Sequence, residues 1–176
     1  MYICMWFLIG FICALLVMMI ACYFKFTSLR KAVQRTKNKL DAHLQKRRDL
    51  VPVLSLTAAG LQELGTSFSY ALGQLPEKAT TADSLLKCAA YEADLSQALH
   101  ELFTAAAKYP PLQQDTYFRH LHEELVKTEN RIQYAKRRYN SAVRDFNTLA
   151  TVSPLNLIAR LLEFKPFEYF DFNKSL

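Results

Sequence analysis

The segment RHLHEEL, residues 119–125, concentrates the side chains best suited to metal or acid–base chemistry: His120, His122, Glu123 and Glu124. On a helix His120 and Glu124 share a face at i,i+4, with His122 beside them. Such a face closes a metal site only with a ligand from another helix. Neither His-Glu-x-x-His nor the Glu-x-x-His pairing of di-metal bundles occurs in the sequence. RHLHEEL therefore reads as a solvated helix face. The chain has only four glycines, no G-x-x-x-x-G-K and no dinucleotide fingerprint, and its Ser, His and Asp residues are scattered. No catalytic residue, metal ligand or cofactor is assigned.

A different chemistry is implied at QKRRDL, residues 45–50. An apolar stripe of Leu29, Val33, Thr36 and Leu40, continued in steps of three and four, passes through His43 and Arg47 before reaching Leu50 and Leu54. A guanidinium at a near-seam position is costly if it is unpaired. A carboxylate from another helix would remove that cost, with Glu129 or Glu124 the candidates. The alternative is that Arg47 reaches water along its aliphatic stem.

The elements that must position Arg47 follow from periodicity. From Phe118 the seam runs Phe118, Leu121, Leu125, Thr128, Ile132, Ala135, Tyr139, Ala142, Phe146, Leu149, alternating three and four over more than four heptads. The spacing predicts one helix from about 114 to 150, with Thr128 its only strongly polar seam member. Leu85, Cys88, Leu95, Leu99, Leu102, Ala106 and Tyr109 form a second stripe, begun by TTADSLL and ended by YPPLQQD. Pro52 should kink the upstream helix or break it in two before the stripe resumes at Leu61, Phe68 and Leu72. A turn is expected at Gly73–Pro76, and a short helix from 154 to about 162. No segment shows period-2 strands. The expected fold is all-α, an N-terminal transmembrane helix followed by an antiparallel bundle of about four long helices.

Residues 1–24, MYICMWFLIGFICALLVMMIACYF, carry no charged side chain. That is long enough to cross the ~30 Å hydrocarbon layer, which takes roughly 20 apolar residues. Trp6 and Tyr23 lie near its ends, where amphipathic aromatics favour the interface. The net charge of +6 is local: residues 25–48 hold nine Lys/Arg and one acid, Asp41. Basic residues flanking a crossing stay on the cytoplasmic side, so the N-terminus is expected outside and the remainder in the cytoplasm. Charge confined to this place argues against nucleic acid as a partner. It divides the chain into an anchor (1–24), a basic juxtamembrane helix entering the bundle (25–48), the bundle (49–163) and an aromatic tail (164–176). Lys25, Arg30, Lys31 and Arg35 are the candidates for contact with the membrane surface. A cleaved signal would need a basic n-region, which is missing. MIAC, residues 19–22, offers a lipoprotein alternative facing the periplasm, with Cys22 lipidated. Three of the four cysteines lie in the apolar stretch, leaving Cys88 as a packing residue in a reducing compartment.

The tail FKPFEYFDFN, residues 164–173, crowds five aromatic rings around Pro166. Each ring buries roughly 150–250 Å² when packed. The tail is expected to fold back and cap the bundle; the alternative is an exposed patch for a membrane or a partner.

LDAHLQKRRDLVPVL (40–54), YPPLQQDTYFRHLHEELVKTENRIQYAKRRYNSAVRDFN (109–147) and SPLNLIARLLEFKPFEYF (153–170) together resemble the LemA family. The shared elements are Lys-Arg-Arg-Asp-Leu-Val-Pro, Thr-Glu-Asn-Arg-Ile and Tyr-Asn. They mark Arg47, Arg48, Asp49, Pro52, Thr128, Glu129, Asn130, Arg131, Tyr139 and Asn140 as structural or interaction candidates. The resemblance implies a bacterial membrane-anchored helical bundle with a short N-terminus outside and no known activity. Some relatives are encoded near membrane zinc metalloproteases, which makes such a protease a partner candidate. Two departures stand out: no Trp precedes the Lys-Arg-Arg element, and AAGLQELGTSFSYALGQL replaces the usual charged stretch after Pro52. The expected function is a non-catalytic, single-pass inner-membrane scaffold or adaptor. An anionic-lipid-binding surface module is the alternative.

Overall fold

The computed structural model describes residues 2–59, 85–152 and 164–171. Among them are three long helices, one short helix and no strand. Helix α1 spans Tyr2–Ala59, α2 Leu85–Ala106, α3 Pro110–Gln114 and α4 Thr116–Thr151. The stripe at Leu61–Leu72, the Gly73–Pro76 turn and the helix expected at 154–162 lie outside the described residues.

Helix α1 runs through Pro52 without dividing into two helices. Proline removes its own amide donor, and here its ring is exposed while Val51 and Leu54 are buried and hold the adjoining turns. At the other boundary, YPPLQQD ends α2 and also forms the short helix α3, which the periodicity had not indicated. Asp115 then begins α4: its Oδ1 accepts from the amides of Tyr117 (2.7 Å) and Phe118 (3.2 Å).

The chain divides into two compact units. One comprises residues 38–137 and 170–176. Its core joins Val51 and Leu54 of α1, Leu95, Ala98, Leu99, Leu102 and Ala106 of α2, and Phe118, Leu121 and Leu125 of α4. In α1, Leu44 and Val51 are buried where the stripe had been drawn through His43 and Leu50, both half-buried. An apolar face is wider than a single row, so residues beside the row turn inward with it.

The other unit comprises residues 1–37 and 138–169. Phe26 meets Phe146 edge-on (5.8 Å) and stacks on Phe164 (5.0 Å), while Phe167 also lies edge-on to Phe146 (4.9 Å). The tail is tied down by hydrogen bonds as well as rings. The Asn147 side chain donates to the Phe167 carbonyl and accepts from the Phe167 amide, both at 2.9 Å. Tyr139, itself buried, donates its hydroxyl to the Glu168 carbonyl (2.9 Å). Residues 164–169 thus form a strap along α4. Phe170, at the start of the next stretch, is buried in the first unit. Val143 is buried, and Ala142 of the seam is half-buried.

Candidate functional site

The strongest concentration of polar chemistry among the described residues is a charge cluster inside the 38–137 unit. Arg47 is 0% exposed and Glu92, on α2, is also 0% exposed. One Arg47 nitrogen, Nη2, donates to the Glu92 carboxylate and to the Glu92 backbone carbonyl. The other, Nη1, donates to Glu129 of α4 (2.8 Å) and to Ser96. Ser96 in turn donates to the Glu92 carbonyl, 3.0 Å away. Arg48 takes the second oxygen of Glu92, with Nε at 2.7 Å and Nη2 in contact. Two guanidiniums and two carboxylates therefore join α1, α2 and α4 with no net charge. That balance is what lets ions sit in a core at all.

Each partner has a local cause. Arg47 continues the α1 stripe by seven residues from Leu40, which places it on the buried face. Glu92 sits between the buried Ala89 and Leu95 on α2. Stepping from Cys88 to Glu92 to Leu95 keeps the alternation of four and three, so a carboxylate occupied a seam position in plain view. Glu92 was missed, and so were Ser96, one turn after it, and Asn147.

Electrostatics around the cluster follow from burial and from Glu92. Burial alone would pull the Arg48 guanidinium down, but the Glu92 hydrogen bond and charge outweigh it and hold it above its ordinary value. Burial, then Glu92, pushes the Cys88 thiol up, with Arg48 Nη2 3.9 Å from the sulfur. A raised thiol is a poor nucleophile. Tyr91 is raised by the same two causes, and Arg48 lies 5.8 Å from its ring centroid. Among the described residues, Arg47 Nε and Thr128 Oγ1 are buried with no hydrogen-bond partner.

The remaining candidates are not drawn into this cluster. Glu124 bonds Lys46 (2.9 Å) and lies 3.4 Å from Lys127; hydrogen bonds from these lysines hold its carboxyl below the usual range. It is not a partner of Arg47. Asp49 is exposed and accepts from Gln45 (2.8 Å), and Pro52, Asn130 and Arg131 are exposed. Tyr139 serves the strap, and Asn140 beside it is half-buried. His122 stacks on Phe103 at 4.2 Å, and His120 is exposed. Among the described residues no group of three or more metal-ligating side chains converges.

Along α1, the side chains of Trp6, Phe7, Phe11, Val17 and Phe24 are all exposed, and the helix is long and apolar enough to cross a membrane. Lys25, Arg30, Lys31 and Arg35 follow, every one exposed.

The LemA family model matches residues 36–176. Two proteins of Paramagnetospirillum magneticum, described as Magnetosome protein MamQ 1 and Magnetosome protein MamQ 2, are each 34% identical over 73 residues. The matched stretch covers 42% of this chain and 27% of each relative.

Proposed function

The chain belongs to the LemA family, and from that premise we propose that it is a non-catalytic, single-pass inner-membrane protein whose antiparallel helical bundle gathers protein partners at the cytoplasmic face. The observation that carries this reading is α1 itself. Its first part exposes large apolar side chains from Met5 to Phe24 with no charge among them, and the same helix goes on to supply Arg47. A helix apolar on every side belongs in lipid. The basic residues that follow favour the cytoplasmic side.

Support for partner binding comes from α4, which exposes Tyr117, Val126 and Tyr134 together with Lys127, Arg131 and Arg137. Aromatic and arginine side chains are the residues that interfaces favour. The buried charges Arg47 and Glu92 are committed to each other, which supports a structural role for them rather than a catalytic one. Affinity purification of the full chain from native membranes tests the proposal. A defined protein set is expected with the wild type and is expected to be lost when Tyr117, Val126 and Tyr134 are all changed to alanine. An identical set from both would rule out these α4 side chains as the contact, and no retained protein at all would rule out the scaffold.

A further inference from the structure

The apolar part of α1 ends at Phe24, which is exposed, and Phe26 two residues later is wholly buried under Phe146 and Phe164. The C-terminal strap therefore meets α1 directly beside the point where the helix would leave the hydrocarbon. A cleft of about 240 Å³ opens there, lined by Arg30, Phe146, Phe164, Lys165, Pro166 and Phe167. Arg30 and Lys165 are both exposed, and among the described residues neither has an ion-pair partner. Two cations from segments 135 residues apart in the sequence thus share one cleft with three phenylalanine rings.

We propose that this cleft binds the phosphate headgroup of an anionic phospholipid in the membrane that α1 crosses. The inference rests on the anchoring reading above. Arg30 lies six residues past Phe24, about 9 Å along the helix axis. The headgroup layer extends roughly 5–8 Å beyond the hydrocarbon, and a long basic side chain bends toward it. The two cations match a phosphodiester, and the rings match the apolar root of the lipid below it. A free phosphate would leave those rings unused. The strap is the part that makes this a site rather than a charged surface. Asn147 holds Phe167, Tyr139 holds Glu168, and Lys165 is carried between Phe164 and Phe167.

Native mass spectrometry of the full chain, released from phosphatidylcholine nanodiscs doped with phosphatidylglycerol, counts the anionic lipid that stays bound. Arg30→Gln and Lys165→Gln are each expected to lower retention about five-fold, the factor that one basic side chain supplies at an anionic surface. Asn147→Ala, which releases the strap with both cations intact, is expected to lower it as well. Lys31→Gln, whose residue does not line the cleft, is expected to leave it unchanged. Equal losses from Lys31→Gln and Lys165→Gln would mean a diffuse charged surface and overturn the site. Displacement of the lipid by inorganic phosphate would overturn the lipid as its occupant. Normal entry into neutral nanodiscs with no phosphatidylglycerol retained would overturn the site alone. Failure to enter neutral nanodiscs would remove anchoring, and the lipid site with it.

Discussion

Glu92→Gln is expected to lower the stability of the helical domain by about 3–5 kcal/mol, the cost of removing one partner from a buried ion pair. Both oxygens of Glu92 are engaged, one by Arg47 and one by Arg48, and its side chain is 0% exposed. Glutamine keeps the shape and loses the charge, leaving Arg47 in the core with Glu129 as its one remaining carboxylate. Glu129→Gln should cost less, because the Glu129 side chain is 35% exposed and also bonds Gln133. The cluster also predicts rescue. With Arg47→Met and Glu92→Met together, no charge is left in the core, Arg48 and Glu129 turn to water, and most of the loss is recovered. Thermal unfolding of the full chain in detergent, followed by circular dichroism, reads all three variants. A loss below about 1 kcal/mol for Glu92→Gln is the value for a solvated pair and would place the cluster in water.

Deleting residues 164–176 is expected to destabilise the chain by about 3–6 kcal/mol. Phe170 is almost fully buried and Phe164 and Phe167 are half-buried, and burying one such side chain contributes about 1.5–3 kcal/mol. The deletion also takes Phe164 from Phe26, Phe164 and Phe167 from Phe146, the Glu168 carbonyl from Tyr139, and the Phe167 amide and carbonyl from Asn147. A buried side chain left without its partner adds to the cost. An unchanged melting temperature, measured in the same way, would show that the tail contributes nothing to the fold.

Periodicity made α4 legible nearly to its ends, because an uninterrupted alternation of three and four admits one reading. It gave less within each turn. Leu44 rather than His43, and Val143 rather than Ala142, turned inward, since the choice between adjacent positions depends on what packs opposite. Arg47 was visible as a charge on a seam with Glu129 and Glu124 as its candidate partners; Glu129 is a partner and Glu124 is not, a choice that only tertiary packing makes. Glu92, the second partner, was legible by another route. It stood at a seam position of its own helix, and two charged residues on two seams were a signal of mutual burial that spacing alone supplied. Asn147 carried no such mark: an asparagine that clamps a backbone looks like any polar residue on a helix. The aromatic tail was conspicuous, while the identity of the rings it covers depended on the fold.

Reporters fused after Leu176, one enzyme active only in the cytoplasm and one active only outside it, read which side of the membrane the helical domain occupies. Lys25, Arg30, Lys31 and Arg35 directly follow the apolar segment. Activity is expected from the cytoplasmic reporter and none from the external one, with the fusion retained in the membrane fraction. Activity from the external reporter, or a fusion recovered without the membrane, would contradict that placement.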